Sequence, residues 1–427
     1  MNRRSIHTKL YWLLLTILCG AAIYLRASRL NDGIWNDEWS SMQRLYYGFD
    51  AILTDPSSFS YNVLLSLWGR FEDPIWYLRS LSLMLSVYSV AIVLAWGRSK
   101  SRSVVLSAAL LFGFFPIFLE HSTDLRWYML LMACAMNTLV AADMACAPGA
   151  SRSSLWVLLI SALLTALSHP IGIPMAGICL LVTLQLRQLN SSSTPRARAQ
   201  VLYFSLMGLG ICCTAIVAAG GWIGGTSAIL QICPDWIGRF NLSALPQQIV
   251  SSLAAGPFQA WSSLSLLTAW FAWFVFISRA GHFSRNWPYL FAAVSYLTIL
   301  VVFSAFIKPV LILRTLLPFW IALHFFAIVQ ISSTSPKARV LATVWLGSLI
   351  LVGLHLHLHR PGRVWKNSWK NLAQRISQEY PPPHVIAELP FAGGLMRYYM
   401  PEQTTRSIEI GSESLVEEFA AEDIFFL

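Results

Sequence analysis

The chain has 427 residues, 56% of them hydrophobic and only 12% charged, with a mean hydropathy of +0.58. That balance excludes a soluble globular protein and fits a polytopic membrane protein. The formal charge of +10 would suit a nucleic-acid partner, but the basic residues fall in short loops between apolar runs. Topology determinants are distributed that way, so no nucleic acid is expected.

The chain opens on MNRRSIHTK and a first apolar run. Arg26 and Arg29 follow that run with no convincing small-residue cleavage site, so it reads as a retained span and not as a removed signal. Stretches apolar enough to cross roughly 30 Å of hydrocarbon lie at about residues 10–27, 76–96, 104–119, 125–146, 154–168, 170–187, 201–223, 259–278, 288–307, 312–330 and 340–358. They predict about eleven transmembrane helices, to within one or two where spans abut.

With the N-terminus inside, alternate loops hold Arg98, Lys100 and Arg102; Arg152; Arg187, Arg196 and Arg198; Arg279 and Arg285; Lys337 and Arg339. These loops are short and basic, as the positive-inside rule requires. The same assignment sends nearly every acid before residue 360 outward, including Asp32, Asp37, Glu38, Glu120 and Asp124, and leaves Asp143 inside. The expected location is the cytoplasmic (inner or plasma) membrane, with the chemistry on its extracytoplasmic side.

The first outer loop, 28–75, is too long for a simple connection. It carries NDGIWNDEWSS, where Asp37 and Glu38 stand side by side between Trp35 and Trp39. Tryptophans favour headgroup depth, and two adjacent carboxylates raise each other's proton affinity, which suits acid–base work. The plainer reading is a solvated turn. Further along, WSSMQRLYYGFDAIL and SYNVLLSLWGRF read as short interfacial helices.

The turn Glu120-His121-Ser122-Thr123-Asp124-Leu125-Arg126-Trp127-Tyr128 separates the third and fourth spans. Arg126 is costly at a span's start unless it meets a carboxylate or a polar cavity. It either fixes the turn through Asp124 or Glu120, or faces an anionic lipid headgroup. His169, in Ser168-His169-Pro170, is a packing residue or a site residue. The outer loop 224–258 opens with GGWIGG, a flexible or re-entrant turn with no Lys-Ser/Thr to make a phosphate loop. Lys308-Pro309 and Arg314 stand at the outer boundary, where they snorkel to headgroups or bind a phosphate. His355 and His359 share a helix face, but no acid or cysteine nearby completes a metal set.

Past residue 359 the character changes. WKNSWKNLAQRISQEY has helical periodicity, PPPH breaks it and VIAEL reads as a strand. The expected division is a transmembrane domain, 1–359, and a small extracytoplasmic α/β tail, 360–427. Seven cysteines lie mostly in apolar runs and imply no disulfide framework.

The Asp-Glu pair in a long first outer loop, followed by acid-x-Arg-x-Tyr at Asp124, Arg126 and Tyr128, resembles the GT-C glycosyltransferases. These polyprenyl-phosphate-sugar-dependent enzymes include the protein O-mannosyltransferases and the lipid A aminoarabinose transferases. LSHPIGIP is similar to their His-aromatic turn, with Pro170 in place of the aromatic. KPVLILRTLLPFW resembles their Arg-Tyr-Leu-Leu-Pro segment, with Thr315 in place of Tyr. The resemblance covers most of the chain in order.

It implies an all-α polytopic GT-C fold and a polyprenyl-phosphate-linked sugar as donor. The acceptor would be a lipid, glycan or protein hydroxyl, and transfer would invert the anomeric carbon. Asp37 would be the general base, or would at least polarise the acceptor O–H. Glu38 would orient an arginine or the sugar. Arg126, Lys308, Arg314 and His169 would hold the donor phosphate, with Asp124 and Tyr128 in support. No metal is required, and a divalent ion is compatible with the scheme. A flippase or transporter is the alternative from another class, although transporters place their polar sites near the midplane. An inactive scaffold subunit is a third.

Overall fold

The structure, a computed structural model, describes residues 3–34, 36–49, 52, 58–72, 74–147, 150–189, 245–254, 260–306, 312–359, 385–388, 404–407 and 425–426. The seventh expected span at 201–223, the GGWIGG turn, Lys308, the Asp37 side chain and the WKNSWKNLAQRISQEY segment lie outside them.

The first span is helix α1, Arg3–Ala27. The first loop carries α2, Asn36–Tyr47, and α3, Phe59–Trp68, the two short helices expected there. Helix α4, Ile75–Gly97, follows Pro74, and α5, Arg102–Phe114, begins where the Ser101 hydroxyl accepts from the Val104 N–H. A five-residue helix α6, Pro116–Glu120, leads through the turn to α7, Tyr128–Ala145. Then come α8, Arg152–Ser168, and α9, Gly172–Leu189.

After α10, Leu245–Ala254, the chain returns in α11, Ala260–Ala280, and α12, Phe283–Phe306. A 3₁₀ turn, Leu313–Leu316, leads into α13, Leu317–Ser332, and α14 runs over Pro336–His359. Pro116, Pro318 and Pro336 each sit at a helix start, where a missing N–H costs nothing.

Among the described residues, six helices are long and apolar enough to cross a membrane: Thr8–Ala27, Ile75–Gly97, Tyr128–Ala145, Asn286–Ala305, Leu313–Ser332 and Pro336–His359. Shorter apolar helices fill the expected positions at Arg102–Phe114, Arg152–Ser168, Gly172–Thr183 and Ser265–Ala280. The protein is therefore a helical, multi-pass membrane protein. Helices α7 and α13 form its centre, being 78% and 83% buried along their spans, whereas α1 is 17% buried and peripheral. Hydroxyls and amides tie the layers together: Tyr88 donates to Asn137 at 3.0 Å and Thr138 meets Thr165 at 2.8 Å, linking α7 to α4 and α8.

One expected span needs correcting. The run at 104–119 is not one helix: Phe115 is extended (φ −64°, ψ 127°) and α5 ends before it. A residue before proline is pushed out of the helical region, and Pro116 brings no N–H to the Phe112 carbonyl. The freed carbonyls are met from α1. Arg26, 1% exposed, donates through Nη2 to Phe112 O at 2.9 Å, through Nη1 to Gly113 O at 2.6 Å, and through Nε to Ser86 Oγ at 2.8 Å. Buried carbonyls left without donors are costly, so Arg26→Leu is expected to lower stability by about 2–4 kcal/mol. Thermal melting of the purified protein in detergent checks this, and an unchanged melting point would show that another group serves those carbonyls.

Asp143, the acid assigned to the inner side, closes the opposite end of the bundle. Its carboxylate accepts from Trp96 Nε1 at 2.8 Å and Tyr289 OH at 2.7 Å, and pairs with Lys100 at 3.0 Å. In the tail, β1 (Val385–Glu388), β2 (Thr404–Ser407) and β3 (Phe425–Phe426) form a parallel sheet in the order β2-β1-β3. Val385 pairs with Thr404 and Ile386 with Phe425. Val385–Glu388, within the expected VIAEL strand, is thus the central strand.

Candidate active site

The acidic loop is held from below by an arginine that the sequence reading passed over. Arg79 lies on the first turns of α4, 1% exposed, and uses all five of its N–H bonds. Nε donates to Glu38 Oε1 at 3.0 Å and Nη2 to Glu38 Oε2 at 2.7 Å, the bidentate fork of a guanidinium on a carboxylate. The other donors meet the carbonyls of Leu30 (3.1 Å), Asp32 and Gly33 (2.9 Å). Glu38 is fully buried and also accepts the Leu125 N–H at 3.1 Å.

One carboxylate therefore binds the first outer loop to α4 and to the 120–128 turn. Asp37 is its neighbour on the first turn of α2. The signal for Arg79 was present: a charge inside the apolar run IWYLRSLSLML is expensive unless an acid meets it.

A second arginine secures the same turn. Arg29 Nη1 donates to the carbonyls of Leu119 (3.0 Å) and Glu120 (3.2 Å) at the end of α6, and pairs with the Glu120 carboxylate at 3.2 Å. Its Nε meets Asp32 at 3.3 Å. Burial by itself would weaken its hold on its proton, but Glu120, Asp124 and Asp32 outweigh that and raise its pKa. His357, on the last turn of α14, brings Nε2 to 3.7 Å from Glu120. Of the histidines near that helix end it is His357 that meets an acid. His355 and His359 stack on each other with centroids 4.3 Å apart, and no group of metal ligands occurs among the described residues.

Above this base runs a row of rings. His121 packs on Tyr128 (centroids 4.4 Å), Tyr128 on Trp127 (4.5 Å) and Trp127 on His169 (3.5 Å, 23° between planes). The cations stand along the row. Arg314 donates through Nη1 to the Tyr128 hydroxyl at 3.0 Å, and both Arg126 and Arg314 act electrostatically on His169. Burial, then the positive charges of Arg126 and Arg314, hold His169 well below its ordinary range.

Its Nδ1 accepts the Ile171 N–H at 3.2 Å, so the neutral ring carries its proton on Nε2. Tyr61 OH lies 2.8 Å from Ser82 Oγ, which donates to the Asp124 carbonyl at 2.6 Å. Burial, with the Glu38 and Asp124 carboxylates adding to it, raises the Tyr61 hydroxyl above its usual value.

Of the residues expected from the sequence, Glu38, Asp124, Arg126, Tyr128, His169 and Arg314 are thus brought into one connected region. The two departures from the family pattern have local explanations. Thr315 caps its own 3₁₀ turn, accepting from Ile312 N–H at 3.1 Å and donating to Ile312 O at 2.8 Å. Where the motif has an aromatic, Pro170 follows His169 in the turn into α9, and Trp127 stacks on the His169 ring.

The second outer loop, whose GGWIGG opening lies outside the described residues, contains α10. It packs on α6, α14 and the 3₁₀ turn that bears Arg314. A side chain at Gly353 of α14 would come within 3.1 Å of Leu253 O, so the two helices approach closely there. Pro246 near the start and Gly256 just past the end were the helix signals.

The neutral His169 makes a prediction about pH. In the unfolded chain the ring takes up a proton near pH 6.5, whereas the folded protein resists it. Its contribution is therefore present above about pH 6.5 and lost as pH falls below it, by up to about 1.4 kcal/mol per pH unit until the lowered folded value is reached. His169→Gln is expected to flatten that part of the acid limb. Melting at pH 7.5 and 5.5 for both proteins measures it, and equal losses in the two would remove His169 as the cause.

No family model matches the chain, and no curated protein matches it. Solved structures do. The chain is similar to ArnT from Cupriavidus metallidurans in the apo state, with a TM-score of 0.57 at 12% identity, covering 98% of this chain and 88% of that one. It is also similar to ArnT from the same organism bound to undecaprenyl phosphate, with a TM-score of 0.54 at 13% identity, covering 97% and 88%. At such identity what is shared is the fold, over nearly the whole chain. That is the GT-C fold expected from the motifs.

Proposed function

We propose that this protein is an integral membrane glycosyltransferase. In this reading it moves a monosaccharide from a polyprenyl-phosphate-linked donor to an acceptor hydroxyl at the outer face of the membrane, with inversion. The observation that carries the proposal is the ring row that joins Arg314, on the Tyr128 hydroxyl, through Trp127 to His169, with Arg126 next to Trp127 in the turn tied by Glu38 to the Asp37 loop. Two guanidiniums and a neutral imidazole N–H suit a phosphate that gains charge as it leaves. The shared fold with an ArnT bound to undecaprenyl phosphate supports the same ligand class.

The roles follow from the chemistry. Asp37 takes the acceptor's proton as the acceptor oxygen bonds to the anomeric carbon. The bond from that carbon to phosphate oxygen breaks, and the polyprenyl phosphate departs with one more negative charge. Arg126 and Arg314, with Lys308 from the segment before the 3₁₀ turn, offset that charge, and His169 donates from Nε2. Glu38 keeps Arg79 and the loop in place, so that little reorganisation is needed at the moment of reaction.

The test uses membranes holding the overexpressed protein, radiolabelled polyprenyl-phosphate sugars and an envelope extract. Label leaving the lipid for a second molecule is the expected result, and the labelled product names the acceptor. Label that only changes leaflets would replace this reading with a flippase. Arg314→Lys keeps the charge but loses the planar guanidinium whose Nη1 holds the Tyr128 hydroxyl, so it is expected to raise donor KM about ten-fold. A KM equal to wild type would take Arg314 out of the phosphate site.

A further inference from the structure

One group in the ring row is not used by the proposed reaction. His121 is 7% exposed, and its Nδ1 lies 2.8 Å from Asp124 Oδ2. A carboxylate accepts, so Nδ1 carries the proton and the neutral ring is left with a bare Nε2, a hydrogen-bond acceptor. That Nε2 is buried and has no hydrogen-bond partner among the described residues. A buried polar atom without a partner costs free energy, which a bound ligand can return. The ring lies against Tyr128, whose hydroxyl holds Arg314.

The two histidines of the row therefore present opposite faces. His169, accepting from Ile171 N–H through Nδ1, keeps its proton on Nε2 and is a donor suited to phosphate oxygen. His121, fixed by Asp124, is an acceptor at Nε2 and is unsuited to phosphate oxygen. It needs an O–H or N–H. In a phosphate-linked sugar the nearest such group to the phosphate is the hydroxyl on the carbon beside the anomeric centre.

We infer that His121 is a specificity residue of the site, held by Asp124 so that its Nε2 accepts a hydrogen bond from a hydroxyl of the donor's sugar. This rests on the transferase reading above, and concerns the sugar where that reading concerns the phosphate. The ring of Tyr128 sets the spacing: His121 lies on one side of it and Arg314 on its hydroxyl, so sugar and phosphate are read by neighbouring groups.

The experiment measures binding of the full chain in nanodiscs to undecaprenyl phosphate and to its glucose, mannose and aminoarabinose forms. Wild type is expected to hold at least one sugar-bearing form more tightly than undecaprenyl phosphate. His121→Asn keeps a donor for Asp124 but is too short to place an acceptor at the Nε2 position, and should weaken that form about ten-fold with undecaprenyl phosphate unchanged. His121→Gln places an amide oxygen near the Nε2 position and should restore most of the preference.

Equal weakening of both lipids, or of neither, would overturn the inference in favour of a purely structural His121. A wild type that binds undecaprenyl phosphate but prefers no sugar form would overturn it too, leaving the phosphate site standing. A wild type that binds none of the four lipids would overturn the phosphate reading itself. Should the Asn variant melt early, His121→Phe takes its place with the same outcomes, since it keeps the ring against Tyr128 and has no acceptor.

Discussion

Asp37→Asn is expected to abolish transfer, lowering turnover by roughly 10²–10⁴-fold, while expression and donor binding stay near wild type. The substitution keeps the size of the side chain and its place on the first turn of α2, but an amide cannot take a proton. The neighbouring Glu38 cannot substitute. It is fully buried, and both its oxygens are engaged by Arg79, with Leu125 N–H on one of them. Donor affinity should survive, because the residues proposed to hold the phosphate lie on other elements: Arg126 in the turn before α7, His169 between α8 and α9, and Arg314 in the 3₁₀ turn. Label transfer and lipid binding, measured on the same preparations, decide it. Near-normal turnover in the variant would remove Asp37 from the mechanism, and a parallel loss of donor binding would make it a binding residue.

The second large effect is expected at Arg79. Arg79→Met leaves the Glu38 carboxylate buried with its chief partner gone, and strips donors from three loop carbonyls. Breaking such a pair costs roughly 3–5 kcal/mol, so both melting temperature and activity should fall. A double variant, Arg79→Met with Glu38→Gln, removes the uncompensated charge and should regain part of the stability. Activity should not return, because the carbonyls of Leu30, Asp32 and Gly33 remain without the arginine that fixes the Asp37 loop. Melting of both variants beside their transfer rates separates these effects. A single variant as stable as wild type would show that the fork of Arg79 on Glu38 holds nothing together.

Both predictions turn on pairings that no local pattern announces. Arg79 stands 41 positions from Glu38 along the chain, and Leu125 stands 87. The sequence contains the reason a partner must exist, since a guanidinium in an apolar run is too costly alone, but several acids were available to it. The same holds for Arg26. It read as the flank of a retained first span, whereas its work is to serve carbonyls freed 86 and 87 residues away by the break before Pro116.

What the sequence by itself determined is whatever depends on composition and short periods. Apolar length settled the class and, apart from the run broken at Phe115, the described spans; helical periodicity found α2 and α3 in the first loop. The adjacent Asp37 and Glu38 and the acid-x-Arg-x-Tyr turn marked where polar chemistry would lie, and the order of motifs anticipated the GT-C fold. Tertiary structure decided how those groups divide the work among themselves. It made Glu38 a buried tie, paired His121 with Asp124 and His357 with Glu120, set Trp127 on His169 and Arg314 on Tyr128, and formed α10 within the second outer loop. The physical reason is that a span or a cap is fixed by neighbours a few residues away, whereas a buried charge is satisfied by whichever group packing brings within about 3 Å.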